Sequence, residues 1–336
     1  MRKSFCRGLG AAVDVAVLGT VLGMVLTTAA TAQEKPADFP QRPLNIVVMY
    51  PPGGGMDVTA RTFAKIAEPQ MDVSMRVENR VGGGGMVGHT SLAKETEPDG
   101  YTIGLLANPF LYTDILLRDA PFTIEEFEPF AEVSFDAVVF VVNAKSDIGD
   151  MTFDEMMERA STEPLQVGIN PNSVFQFVAE FIAEAKGAEF NFIPFDGGKA
   201  GVVALLAGDV DATTAFYSEI AQYVESGDLK PVAISGDDRN PLMPDVPTLT
   251  ELGVPVGGKA WGVTRYFTVP PGTPEDRKAW LEAEFLEVMA SPEAKEAFTA
   301  AGLMLEPAGA AETKQKYQES FDALKKFLIE SGRISG

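Results

Sequence analysis

His89 is the only histidine in a chain of 336 residues, and Cys6 is the only cysteine. A nucleophile paired with an imidazole, or a multi-histidine metal site, cannot be built without them. Glu125, Glu126 and Glu128, and the pair Asp237 and Asp238, lack the spacing of a metal-binding loop and read as solvated surface. What the chain offers in place of reactive side chains is bare backbone. Pro51-Pro52-Gly53-Gly54-Gly55 and Gly82-Gly83-Gly84-Gly85 each stand between an apolar strand and a helix. Glycines there permit backbone angles closed to other residues and let a ligand approach peptide N–H groups. Each helix start leaves about four N–H groups without internal partners, under partial positive charge. Two such ends close together make a receptor for an anion, a carboxylate or a phosphate.

The glycines do not fit the common phosphate motifs. Gly83-x-Gly85-x-x-Gly88 matches the dinucleotide fingerprint in form, but Leu105 to Pro109 lacks the acidic residue that holds the ribose. Neither turn carries the Gly-Lys-Ser/Thr of a P-loop. His89, in the first turn of its helix, reads as neutral or surface. Asp57 reads as a helix cap paired with Arg61 one turn on, and as the organiser of a bridging water. Lys199 is within reach of an anion in the groove or is solvated. Phe175 and Phe177 read as core, and Trp261 is the aromatic placed to sense closure.

The elements that hold these residues alternate. Ile46 to Met49 is a buried strand, followed by an amphipathic helix from about Asp57 with Val58, Ala60, Phe63, Ala64 and Ala67 on its packing face. Met75 to Val77 and a helix from Met86 to Lys94 repeat the unit, and Tyr101 to Leu106 is a third strand. Ala131 to Asn143 is a long apolar strand, followed by a capping box at Thr152 and Glu155. Leu165 to Ile169 precedes Asn172-Ser173, where Ser173 and Gln176 form a second capping-box pattern. Phe190 to Pro194 leads into a third glycine turn, Phe195-Asp196-Gly197-Gly198-Lys199. Strands at Val210 to Thr214, Val232 to Ser235 and Trp261 to Val269 follow, with a proline-rich loop from Asp237 to Pro255. Thr273 is expected to cap a helix opening at Pro274, and helices continue to about residue 331. This alternation predicts a parallel α/β sheet with ligands beyond the C-terminal strand ends. The expected layout is lobe 1 from 33–142 plus 262–336, and lobe 2 from 143–261, with the long strands near 138 and 265 crossing between them. Two crossings suit a hinged clamp.

Residues 1–32 read as a secretory signal peptide. Arg2, Lys3 and Arg7 precede an apolar run from Leu9 to Leu26, and Ala30-Thr31-Ala32 offers the cleavage site. Asp14 argues against a permanent span. Removing this segment takes away three basic groups and one acid, so the formal charge moves from −21 to −23. That balance rules against nucleic acid and anionic membranes as partners, and an anion must be held by local dipoles. Gln33 to Gln41 is expected to be a disordered lead-in.

Val48-Met49-Tyr50-Pro51-Pro52-Gly53-Gly54-Gly55-Met56-Asp57 resembles the first-loop motif of Bug-type periplasmic solute-binding proteins, the receptors of tripartite tricarboxylate transporters. Glu78 to Gly88 is similar to the second family signature, followed by Pro98-Asp99-Gly100-Tyr101-Thr102. Leu206 to Asp211, Pro244 to Thr248 and Pro271 to Pro274 continue the match in order. The resemblance implies an α/β, two-lobed periplasmic-binding-protein clamp with two crossing strands. It would act as a monomer, take a small carboxylate, deliver it to membrane permease subunits and use no catalytic group, metal or cofactor. It points to Tyr50, Gly54, Gly55, Met56 and Asp57 in the first loop, and to Gly84, Gly85 and Met86 in the second. Asn108 stands at the end of the third strand, and Asn172, Ser173, Asp196, Gly197 and Gly198 belong to the other lobe. Val81, Ala107-Asn108 and Asp196 depart from the family pattern. Asp196 reads either as a helix cap or as the acceptor of a ligand's donor group.

Hydrogen bonds to a charged group contribute about 1.5–3 kcal/mol each, so four or five suffice for micromolar binding. The runner-up reading is an exported α/β enzyme acting on a carboxylated substrate, disfavoured by the missing nucleophile–base pair. A sensor that docks on a membrane receptor kinase is a third.

Overall fold

The structure is a computed structural model that describes residues 35–335, so the expected signal peptide lies outside the described residues. Its strands are β1 (Leu44–Val48), β2 (Met75–Asn79), β3 (Thr102–Asn108), β4 (Glu128–Asn143), β5 (Leu165–Ile169), β6 (Phe190–Pro194), β7 (Ala212–Phe216), β8 (Leu229–Ile234), β9 (Gly262–Val269) and β10 (Leu305–Gly309). The α-helices are α1 (Gly55–Met71), α2 (Met86–Thr90), α3 (Phe110–Leu117), α4 (Phe153–Ala160), α5 (Val174–Lys186), α6 (Gly198–Ala207), α7 (Tyr217–Glu225), α8 (Glu275–Ala290), α9 (Pro292–Ala300) and α10 (Ala310–Glu330). A wider π turn at Ser91–Glu95 continues α2.

The sheet follows the path β2-β1-β3-β9-β4-β7-β5-β6, with β10 and β8 also on β4. β1 runs parallel to β2 and β3, and β5 runs parallel to β6 and β7. These two parallel runs meet through β4. Its first half pairs with β9 and β10, and its second half, from Val138, lies between β7 and β8. The chain crosses between the runs a second time just before β9. There Ser235 Oγ accepts from Val138 N at 2.9 Å and donates to the Trp261 carbonyl at 2.5 Å.

Apolar runs and helix periodicity explain most of this. β4 reads as a nearly continuous buried run because helices and strands cover both its faces. α1 buries Ala60, Phe63, Ala64 and Ala67 and exposes Arg61 and Lys65. Phe63 meets Phe267 and Phe285 at 4.6 and 4.5 Å between ring centres, a burial worth roughly 1.5–3 kcal/mol.

Several expectations are corrected. The lead-in is anchored rather than disordered from Phe39, which is buried against Tyr101 and Trp280 because its ring completes their packing. The capping box at Thr152 and Glu155 forms, but the one at Ser173 and Gln176 does not. Ser173 Oγ donates instead to the Asn170 carbonyl, and Gln176 Oε1 accepts from Asn172 N at 2.7 Å. Thr273 caps nothing; its hydroxyl turns back to the Pro270 carbonyl, and Pro274 stands at the start of α8. β10 occupies the break expected around Pro307, because an edge position on β4 needs few donors from that segment. α3 and α7, short helices directly after strands, had no punctuation by glycine or proline to announce α7 and only Pro109 ahead of α3.

Candidate functional site: the strand-to-helix turns

The first turn leads from Tyr50 into α1. Gly54 precedes the helix with no side chain bonded over its N-terminus. Asp57 is buried two residues into the helix and is fully engaged. It accepts from Gly53 N at 2.9 Å, from Arg61 Nε at 2.9 and 3.0 Å, and from Asn79 Nδ2 at 3.0 Å. Burial pushes its carboxyl up, but the bonds from Arg61, Gly53 and Asn79 outweigh burial and hold it below the usual carboxylate range. Asp57 therefore fixes the shape of the turn, and Asn79 ties it to β2 through the Tyr50 carbonyl at 3.0 Å. The Met56 side chain packs into the core, leaving its N–H as the group on offer.

The second turn is tighter than a free helix end. Gly82, Gly83, Gly84 and Gly85 all take positive φ, from 58° to 143°, which side-chain-bearing residues rarely adopt. Gly85 N and Val87 N bond the Gly82 carbonyl at 3.1 and 3.3 Å, and Met86 N bonds Gly83. Tyr50 and His89 crowd Gly85: a Cβ there would stand 3.2 Å from the Tyr50 hydroxyl and 3.0 Å from His89 Cε1. The Tyr50 hydroxyl is buried without a protein partner, and burial, then the charge of Asp114, raises its pKa, so it stays a donor. His89, read as neutral or surface, is not at the surface but fully buried. Its Nδ1 lies 3.0 Å from Asp114 Oδ2, and Asp114 Oδ1 accepts from Arg118 Nη1 at 2.8 Å. Arg118 in turn lies against the second turn, 2.9 Å from where a Cβ on Gly84 would be.

In the second run the predicted residues are divided. Asn172 is exposed with φ of 54°, Ser173 is buried in its local turn, and Asp196 is exposed and does not cap α6. Gly197 supplies a φ of 92°, and Gly198 is a place of close approach. The carboxylate of Glu219, on α7, stands so near that a Cβ on Gly198 would collide with it. Asn108 is buried beside Tyr112 near α10. Lys199 is exposed, Phe175 and Phe177 are core, and Trp261 lies 4.7 and 5.0 Å from the rings of Phe181 and Phe327.

At the junction of the runs lies a group that the residue pattern did not single out. Arg265, on β9, is 1% exposed. Its Nη2 meets Asp136 Oδ2 at 2.6 Å, its Nη1 donates to Ser134 Oγ at 3.1 Å, and its Nε has no protein partner. The guanidinium faces the start of α1: a Cβ on Gly55 would stand 3.0 Å from Nη2 and 3.4 Å from Ser218 Oγ. Ser218 Oγ is likewise buried without a partner. Thus each glycine turn of the first run has an arginine against it, each held by a buried aspartate. The only sequence signal was a charge, Arg265, inside an otherwise apolar strand. Among the described residues no group of acids, histidines or cysteines is placed to hold a metal ion, and no helix is long and apolar enough to cross a membrane.

Comparison with known proteins agrees with this layout. Residues 59–332 match the family described as tripartite tricarboxylate transporter family receptor. Protein BugT of Bordetella pertussis is 31% identical over 291 residues, covering 84% of this chain and 87% of its own. The structure is similar to a TctC solute binding protein from Polaromonas (27% identity, TM-score 0.69, 87% and 99% covered). It also resembles MatC from Rhodopseudomonas palustris with bound malate (23%, 0.72, 86% and 99%) and a second R. palustris protein with adipate (21%, 0.79, 88% and 99%). The fold is that of the two-lobed periplasmic binding proteins. The chain belongs to the tripartite tricarboxylate transporter receptor family, whose members are solute-binding proteins rather than enzymes.

Proposed function

We propose that this chain is an exported, monomeric receptor that captures a small carboxylate at the Gly53–Gly55 turn and passes it to the membrane permease of a tripartite transporter. Residues 1–32 would be the cleaved leader. Residues 33–142 with 262–336 would form one lobe and 143–261 the other, hinged where β4 and the segment before β9 cross. One observation carries the reading: donors from both runs converge on Gly55. They are the first N–H groups of α1, the Arg265 guanidinium and the Ser218 hydroxyl. Beside Gly85, in the second turn, the Tyr50 hydroxyl is a further buried donor without a protein partner. The malate and adipate held by two structural neighbours each present a carboxylate of the kind such a turn would take.

Four or five charge-assisted bonds of about 1.5–3 kcal/mol each, less ordering costs, support binding in the micromolar range. A thermal-shift screen of the purified protein against carboxylates tests this. Saturable stabilisation, with the ligand recovered unchanged, is expected. No response to any small carboxylate, or turnover of one, would refute it.

A further inference from the structure

We propose that the cleft takes a ligand with one carboxylate and, at its far end, a hydrogen-bond donor such as an amino or hydroxyl group, and that Glu219 reads that end and rejects a second carboxylate. This rests on the reading above, in which the first carboxylate lies at the α1 turn.

A diacid's second carboxylate needs an anion site in the other run, and the available one is filled. The α6 N-terminus, entered through Gly197 and Gly198, is a helix start of the usual anion-binding kind. The Glu219 carboxylate already occupies it, packed on Gly198, accepting from Lys199 N, and bonded to Phe216 N at 3.0 Å. The chain thus supplies its own carboxylate where a ligand's would go.

Arg265 does not offer a substitute, because Asp136 already matches its charge at 2.6 Å. With Glu219 ionised, Arg265, Asp136 and Glu219 together sum to one negative charge. A second anion would meet like charge in a desolvated setting, whereas an ammonium or hydroxyl finds acceptors. Ser218 Oγ, buried without a protein partner, lies on the Gly55 side with Arg265 Nη2, and both serve the first carboxylate. The ligand end that faces Glu219 is left with its carboxylate as acceptor.

The other groups around Glu219 are consistent with this. Burial raises its pKa, the Phe216 N–H and Arg265 oppose the rise, and Asp136 adds to it. Lys199 contributes its N–H while its side chain is exposed, and the hydroxyl of Tyr217, raised by burial, remains neutral.

The test uses matched ligands of three to six carbons: for each length, the plain monocarboxylate, the ω-hydroxy acid, the ω-amino acid and the diacid. Binding is read by calorimetry on the wild type and on Glu219→Gln, which keeps an acceptor for Phe216 N. In the wild type the best ω-amino or ω-hydroxy acid should bind at least ~10-fold tighter than the diacid of its length. Glu219→Gln should bring the ratio to about one or invert it. A wild-type measurement supports the variant: as pH rises through the raised pKa of Glu219, the ω-amino acid should gain affinity, while the diacid should lose it. A wild type that prefers diacids, or a preference that neither the substitution nor pH moves, overturns the proposal and leaves the carboxylate reading standing. If no member of any series binds either protein, the carboxylate reading itself fails and this one with it.

Discussion

At the first run, α1 begins with no side chain over its N-terminus and with Arg265 against Gly55. At the second run, α5 begins as α1 does, with a side chain in its first turn (Gln176, like Asp57) bonded to the N–H just before the cap, but α6 begins under the Glu219 carboxylate, over Gly198. Both sets of turns follow parallel strands, and both contain the residues expected to hold a ligand. The difference separates a helix start, that of α1, with an arginine against it from one, that of α6, with a carboxylate already over it. A glycine at a helix start is therefore not by itself an anion site; what decides is whether another element has brought up a carboxylate.

The largest effect expected on this contrast comes from Arg265→Met. It leaves Asp136 buried and unpaired, which costs about 3–5 kcal/mol of unfolding free energy, because its charge would have no counter-ion in a site 3% exposed. Arg265→Met with Asp136→Leu should recover most of that stability in denaturant titration, since replacing a whole buried pair is often neutral. The double variant should still bind carboxylate poorly. If it binds as well as wild type, the guanidinium is structural only.

Gly55→Val comes next. The side chain would press on Arg265 Nη2 and Ser218 Oγ and cover the first N–H groups of α1. Carboxylate affinity should fall by about 100-fold or more, while Gly55, which does not need a positive φ, should tolerate the change in backbone. Unchanged affinity in a folded variant would place the carboxylate elsewhere. Gly84→Ala, at φ of 71° and against Arg118, should instead cost stability through strain.

Asp57→Asn sharpens the first turn in another way. Its folded pKa is lowered, so its stabilisation is present above the unfolded value near 4 and is lost as pH falls through the folded value. The wild type should lose part of its stability on acidification below about pH 4, and Asp57→Asn should lack that part, with a loss of about 1–3 kcal/mol at neutral pH. An identical acid profile in both proteins would show that Asp57 does not hold the turn.

Why the elements of both runs were legible and the groups that meet across the fold were not follows from these residues. Glycine runs, a buried strand and an amphipathic helix are local, and they located α1 and the turn at Gly82–Gly85 with their boundaries within a few residues. Arg265, Ser218 and Glu219 act through contacts spanning from about twenty residues to about two hundred along the chain, and nothing adjacent to them signals that. The burial of His89 was out of reach for the same reason: Asp114, its partner 25 residues on, is what makes that burial tolerable. Local motifs also over-predicted. Ser173 and Gln176 have capping spacing, but Gln176 reaches Asn172 N, whose φ of 54° turns that N–H toward it.

That last case supplies the smallest and most discriminating comparison. Thr152 and Ser173 have the same sequence pattern, a hydroxyl residue three before Glu or Gln at a helix start. Only Thr152 closes the reciprocal pair, with its Oγ1 accepting from Glu155 N at 3.3 Å and Glu155 Oε2 accepting from Thr152 N at 2.8 Å. Thr152→Ala should therefore cost about 1 kcal/mol, the usual worth of a cap. Ser173→Ala loses only its bond to the Asn170 carbonyl and should cost about half that or less, because no helix N–H depended on it. Gln176→Ala should cost more than Ser173→Ala, since it frees Asn172 N and relaxes a left-handed residue. Chemical denaturation of the three variants checks the order. If Ser173→Ala proved as costly as Thr152→Ala, the serine would be capping α5, and that turn would have to be redrawn.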